Sequence, residues 1–285
     1  MDSKRVATAF LVGLPALFAI IAGGCWLALL ILVIVYFASK EYTEILRHKG
    51  FLPSLKIMLT SSVIFAGLAY FNKFNLIPLA FTLSAMMAFM WVLFRGRQPY
   101  IANVATTLLG FLYCGWFPLH LLFLRNMGGD FDGWFIPSPQ GAGYCLLILF
   151  AVLVTDTFCY IVGCRYGKNK LSPVISPNKT IEGSLGGTLM CMVFSLAIGL
   201  AIGLPWYHAC ILGLLIAIFA QIGDLCESMI KRDAGVKDSS NILPGHGGFL
   251  DRTDSYILTI PVVYYYLQYC VNSNALVDFI KGFLG

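Results

Sequence analysis

Charge is what this sequence has least of. Asp, Glu, Lys and Arg make up 12% of its 285 residues and hydrophobic residues 59%, whereas soluble domains carry about 25% charged residues. So little polar surface cannot cover even one large core, which excludes a soluble globular fold and makes lipid the solvent for much of the exterior. C-x-x-C pairs are absent as well. The nine cysteines, Cys25, Cys114, Cys145, Cys159, Cys164, Cys191, Cys210, Cys226 and Cys270, stand mostly inside apolar runs and read as small packing residues, with neither a zinc site nor a disulfide framework. The chain also lacks G-x-G-x-x-G behind a strand, H-E-x-x-H and G-x-S-x-G. At residues 163–168 the glycine spacing is too short for a phosphate-cradling Walker loop, and Asn169 stands where Ser or Thr is needed. Heptads, low-complexity tracts and clear internal repeats are missing too.

What the chain does have is apolar runs, nine of them, at about residues 6–22, 25–39, 57–70, 76–94, 100–117, 141–163, 183–204, 206–223 and 255–271. A helix needs about 20 such residues to cross the hydrocarbon core, so the pattern predicts an all-α integral membrane protein, a polytopic bundle of about nine transmembrane helices. Gly23-Gly24 and Pro205 mark tight turns between runs. Lys4 and Arg5 before the first run resemble a signal peptide, but a second run follows at once with no A-x-A-type cleavage site, so a retained helix is expected. With the N-terminus in the cytoplasm, 16 of the 19 basic residues fall inside; Lys73, Arg125 and Lys281 are the exceptions. The net charge of +5 is thus a topology signal first, and it suits anionic lipid headgroups at the inner surface. Nothing calls for nucleic acid. The stretch 119–140 reads as the longest outer loop, a solvated connector.

Acids are distributed unevenly. Of 14, eight lie between Asp156 and Asp254. Residues 1–140 therefore read as a transmembrane scaffold of about five helices and an outer loop. Residues 141–285 read as a catalytic region of about four helices with cytoplasmic loops, the whole forming one folding unit. In the stretch 223–254, a continuing helix puts Asp224, Glu227, Ser228 and Lys231 on one face. A loop with Pro244, Gly245, His246, Gly247 and Gly248 follows, and Asp251 and Asp254 then open the ninth run. Carboxylates at a membrane need partners or a metal, and Mg²⁺ takes hard oxygen ligands shared with phosphates. Asp224, Asp251 and Asp254 suit the metal. Lys231, Arg232, Lys237 and Arg252 suit phosphate oxygens, and the glycines let backbone N–H groups approach a phosphate. Any single Asp–Arg pair here could equally be a structural salt bridge, but such a cluster would not need the His246-Gly247-Gly248 loop. His246 reads as contacting substrate or orienting a phosphate, not as a metal ligand.

A second group runs from Asp156 to Gly183. Asp156 lies inside the sixth run, where an acid is a functional-site hypothesis or an internal hydrogen-bond partner. Arg165, Lys168, Lys170 and Lys179 make a landing area for a negative headgroup, and Ser176-Pro177-Asn178 reads as a turn. Gly183 and Gly187 form a small-xxx-small pair suited to helix packing.

Ser228, Lys231, Arg232, Lys237, Asp238, Pro244, His246, Gly247, Gly248, Asp251, Arg252 and Asp254 stand in register with S-x-x-K-R-x₄-K-D-x₄-[LIF]-P-x-H-G-G-x-x-D-R-x-D. This stretch resembles the signature of the CDP-diacylglycerol synthase (phosphatidate cytidylyltransferase) family. Asp156-Thr157, Tyr160, Gly167-Lys168 and the run through Asn178, Lys179, Thr180, Glu182 and Gly183 also resemble the family pattern; Cys159 and Cys164 are less typical of it. The resemblance implies the reaction CTP + phosphatidate → CDP-diacylglycerol + pyrophosphate, a multi-span Mg²⁺-dependent enzyme, with room for a second cation, and a homodimer. The distribution of basic residues puts the site on the cytoplasmic side, and the short length without a long soluble extension suggests a cell (inner) membrane location. The expected reaction-centre residues are Asp224, Lys231, Arg232, Lys237, Asp238, His246, Asp251, Arg252 and Asp254. Those expected to bind substrate are Asp156, Arg165, Lys168, Asn178, Lys179, Thr180, Glu182, Ser228, Gly247 and Gly248. A phosphate monoester is already nucleophilic at neutral pH, so no general base is required. An ion transporter would need paired broken helices in two similar halves, which the lopsided acids do not suggest. The D-G-x₂-A-R pattern of CDP-alcohol phosphotransferases is absent.

Overall fold

The computed structural model describes residues 3–132, 137–240, 242 and 247–273. Each of the nine apolar runs is helical. The helices are α1 (Ser3–Ala22), α2 (Gly24–His48), α3 (Leu55–Tyr70), α4 (Ile77–Arg95), α5 (Tyr100–Gly110), α6 (Phe117–Arg125), α7 (Gln140–Tyr166), α8 (Ile181–Ala201), α9 (Trp206–Asp233) and α10 (Leu250–Tyr266). Among the described residues six stretches are long and apolar enough to cross a membrane: Gly24–His48, Phe74–Arg95, Tyr100–Arg125, Gln140–Tyr166, Ile181–Ala201 and Trp206–Asp233.

The fifth run is longer than its apolar pattern suggests. A π-helical turn, Phe111–Trp116, joins α5 to α6, so helix continues to Arg125 where a loop from residue 119 was expected. Pro118 has no N–H to give the preceding turn, and a widened turn just before it absorbs the break. Leu119, Leu122, Phe123 and Leu124 are buried and extend the apolar face past the proline. The remaining connector is not wholly irregular either. Strand β1 (Asp130–Asp132) pairs antiparallel with β2 (Pro137–Pro139). A second ribbon pairs β3 (Lys170–Ser172) with β4 (Ser176–Thr180).

Helix α8 shows what solvent surrounds the chain. Gly183, Gly187, Cys191, Ser195 and Gly199, at every fourth position, are buried, while Leu185, Leu189, Val193 and Leu200 are more than half exposed. A water-soluble helix does the reverse. The small residues let α7 approach closely: a Cβ on Gly187 would strike the Cys159 sulfur, and one on Gly183 would come 2.6 Å from the Cys159 carbonyl oxygen. That is close packing of the small-xxx-small kind.

The chain divides into two compact units. The first is Met1–Leu122 with Cys226–Ile257; the second is Phe123–Leu225 with Leu258–Gly285. The core of the first is aromatic. Phe65 of α3, Phe81 of α4, and Phe111 and Trp116 of the π turn meet edge-on or tilted with ring centroids 4.7–5.8 Å apart. Buried polar groups tie its loops: Asn103 accepts from the Leu52 N–H at 2.7 Å and donates to the Arg97 carbonyl at 2.7 Å, and Thr107 accepts from Ser54 N–H at 2.9 Å. In the second unit, beyond the α7–α8 pair, His208 and the Tyr266 hydroxyl are hydrogen-bonded at 2.7 Å.

Candidate functional site

In the first unit the last turns of α9 and the first turn of α10 carry a closed charge network. Lys231 lies between two carboxylates, 2.5 Å from Glu227 Oε2 and 2.6 Å from Asp251 Oδ1, and all three side chains are nearly buried. Glu227 and Lys231 meet because they are one helical turn apart. Asp251 also accepts from the Ser239 hydroxyl at 2.8 Å, the Ser239 N–H at 3.1 Å and the Gly248 N–H at 2.8 Å. Burial by itself would raise the Asp251 carboxyl, but these hydrogen bonds, led by that from Lys231, hold it down at about 2. Gly247 sits at a φ of 76°, a backbone state that favours glycine.

Asp254, one turn beyond Asp251, is within electrostatic reach of Glu227 and of Tyr113 on the π turn. Glu227 Oε1 and the Tyr113 hydroxyl are buried and make no hydrogen bond among the described residues. A buried carboxylate oxygen left in that state, with a second acid in reach, fits a hard cation that takes oxygen ligands. Among the described residues no three His, Cys, Asp or Glu side chains converge as a ready-made metal cluster.

Arg232, Lys237, Asp238 and Arg252 are exposed at this end of the first unit. Arg232 donates to the Val236 carbonyl at 3.3 Å. Ser228 is half-buried on α9. Lys231, expected to meet phosphate, is enclosed by its two acids. His246 lies outside the described residues, as do Pro244 and Gly245.

The second unit gathers a different group. Asp224 on α9 pairs with Lys179 of β4 at 2.5 Å, both partly exposed. Cys159 on α7 feels the charges of Asp156, Lys179 and Asp224, so these three stand around one point. Arg165, Lys168 and Asn178 are exposed, with Arg165 over the Tyr166 ring at 5.6 Å. Two residues expected to bind substrate serve the chain itself here. The Glu182 carboxylate accepts from the backbone N–H groups of Lys168 at 3.1 Å and Asn169 at 3.2 Å and from the Asn169 side chain at 2.8 Å, which fixes the turn after α7. Thr180 caps α8, its hydroxyl accepting from Gly183 N–H at 3.2 Å.

Two residues escape the motif reading. Glu227 was placed on the right helix face but given no role. Glu41, on α2, is fully buried against the loop that leads into α10 and accepts four hydrogen bonds there. Its signal was present: between residues 3 and 129 the only acids are Glu41 and Glu44, and an acid at the end of a membrane run calls for a partner.

Comparison with known proteins covers nearly all of this. The chain is 35% identical to a phosphatidate cytidylyltransferase of Synechocystis sp., over 94% of this chain and 97% of the relative. It is 30% identical to the phosphatidate cytidylyltransferase of Bacillus subtilis, over 93% and 97%. It is 32% identical to the chloroplastic phosphatidate cytidylyltransferase 4 of Arabidopsis thaliana, over 93% of this chain and 73% of that one. Residues 3–270, which include both charge groups and α2, match the cytidylyltransferase family, and the chain belongs to that family.

Proposed function

We propose that this protein is a phosphatidate cytidylyltransferase of phospholipid biosynthesis, making CDP-diacylglycerol and pyrophosphate from CTP and phosphatidate. A phosphate oxygen of the lipid attacks the α-phosphorus of CTP, the bond from that phosphorus to the bridging oxygen breaks, and pyrophosphate leaves with the electron pair. The observation that carries the reading is the Glu227–Lys231–Asp251 network, which joins two signature residues, Lys231 and Asp251, to Glu227 just before the signature and is locked at the start of α10. Such a network gives a fixed array of charge, and phosphoryl and nucleotidyl transfer depend mainly on positioning and charge stabilisation.

The finer parts of the reading follow from sequence and chemistry. The chain crosses the cell (inner) membrane about nine times with its N-terminus in the cytoplasm, the site faces the cytoplasm, and the protein is a homodimer among membrane lipids. Residues 141–285 carry the chemistry on the scaffold of residues 1–140. Mg²⁺ is the cofactor, served by Asp224, Asp251 and Asp254, with the unused Glu227 oxygen as a further donor or the partner of a second cation. When bound it supplies positive charge to the triphosphate and the departing pyrophosphate. The chain's own exposed cations do the rest: Arg232, Lys237 and Arg252 face the nucleotide phosphates, and Arg165, Lys168 and Lys179 hold the lipid phosphate. Purified protein in phosphatidate vesicles should convert radiolabelled CTP to a lipid-soluble product, stop with a chelator and restart with Mg²⁺. Labelled CTP that stays water-soluble under all these conditions sinks the reading.

A further inference from the structure

The motif residues of the α9–α10 connection bind one another, and the connection is also held from outside, by α2. Glu41 Oε1 accepts from the Ser240 hydroxyl at 2.6 Å and the Phe249 N–H at 3.0 Å. Its Oε2 accepts from the Ser239 hydroxyl at 3.0 Å and the Leu250 N–H at 2.8 Å. One turn earlier on the same helix face, Phe37 stacks on Phe249 with centroids 4.6 Å apart and planes 12° from parallel. At the end of α2, Lys49 donates to the backbone carbonyl and the carboxylate of Asp233, both at 2.8 Å. Helix α2 thus grips the connection where it leaves α9, in its middle and where it enters α10.

The chemistry of the grip is specific to a carboxylate. Leu250 opens α10, so the Phe249 and Leu250 N–H groups belong to a helix start, where donors lack intrahelical partners and the dipole favours negative charge. The Ser239 hydroxyl lies within hydrogen-bond distance of both Glu41 and Asp251, and its single proton serves one carboxylate at a time, which couples the two acids. Any side chain on Gly248 would strike both the Ser239 hydroxyl and the Glu41 carboxylate, which leaves glycine as the residue that fits between them. A glutamine at position 41 would offer one acceptor oxygen and turn an NH₂ against two donors.

We propose that Glu41 is a positioning residue for nucleotidyl transfer: through Ser239, Ser240 and the start of α10 it sets where Gly248 and Asp251 stand relative to the nucleotide phosphates. This rests on the cytidylyltransferase reading above.

The test is the kinetics of the full chain in detergent micelles with CTP, phosphatidate and Mg²⁺, together with amide hydrogen exchange over residues 247–252. A displacement of reacting groups by about 1 Å costs roughly a hundredfold, so Glu41→Gln should lose about that in kcat/KM for CTP, with KM for CTP raised. Exchange at 247–252 should accelerate. Mere loss of folded protein would lower turnover per milligram and leave KM alone, and that result, or normal kinetics with unchanged exchange, overturns the proposal. If Glu41→Gln fails to fold, Ser240→Ala removes a single donor and should still raise KM for CTP; an unchanged KM there overturns it as well. Inactive wild-type protein would refute the functional reading instead, and fast exchange at 247–252 in that wild type would refute the brace separately.

Discussion

The two units carry the same residue types, Asp, Glu and Lys, in opposite states. In the first, Lys231, Glu227 and Asp251 have 11%, 1% and 9% of their side chains exposed; in the second, Lys179 and Asp224 have 27% and 32%. The buried group is cross-linked to backbone amides, serines and, through Ser239, to Glu41. The exposed pair is open on one side. Burial converts charges into architecture, because none can be removed without stranding another. Exposure keeps charges exchangeable, because a screened pair in water is weak and an incoming phosphate can take the place of a carboxylate. The contrast sets a buried, cross-linked frame in the first group against an exchangeable ion pair in the second.

The largest effect should come from breaking the buried group. Lys231→Met leaves Glu227 and Asp251 facing each other without a cation, and stranding a buried charge costs about 3–5 kcal/mol. Unfolding of the purified protein in detergent should show that loss, and adding Glu227→Gln should recover part of it. Wild-type stability in Lys231→Met would mean that this network is not structural at all. A smaller effect on stability but a large one on chemistry should come from Asp251→Asn. The amide keeps the shape and one acceptor oxygen but turns its NH₂ against a donor, and Lys231 keeps Glu227 as its counter-charge, so stability should fall by less than in Lys231→Met. On the proposed role of Asp251 at the reaction, kcat should fall roughly a hundredfold or more. Near-normal Mg²⁺-dependent turnover would remove Asp251 from the site.

How far the sequence led can be read from particular residues. The helices were legible because lipid demands long apolar runs, and the α7–α8 contact was legible in Gly183 and Gly187. The motif picked out Asp251, Lys231 and Gly248, and the structure brings the three into contact. It did not say that Lys231 would be enclosed, because a lysine's partners depend on which helices pack together. Glu182 and Thr180 look like binding residues in a motif, yet both hold the backbone around α8. Glu41 stands out as an isolated acid at the end of a membrane run, but its partners do not: Ser239, Ser240, Phe249 and Leu250 are about 200 positions away, and no local pattern encodes a contact over that distance. The helix past Pro118 was missed because proline reads as a stop, and a π turn let the helix accommodate it.

The smallest effect on stability should fall on the exposed pair, and there the comparison is decided most sharply. Lys179→Met removes the partner of Asp224, but a partly exposed ion pair contributes about 0.2–1 kcal/mol before salt screening weakens it further. Unfolding should therefore shift little, and less again at high salt. If Lys179 serves the lipid phosphate, the same change should raise KM for phosphatidate about tenfold, the scale of one charge-assisted hydrogen bond, and leave KM for CTP unchanged. Lys179→Arg should restore most of it, because a guanidinium also binds phosphate. A large loss of stability in Lys179→Met would show that the second group is architectural like the first. An unchanged KM for both substrates would leave the pair without a part in binding, and the division between a buried frame and an exchangeable surface would then fail.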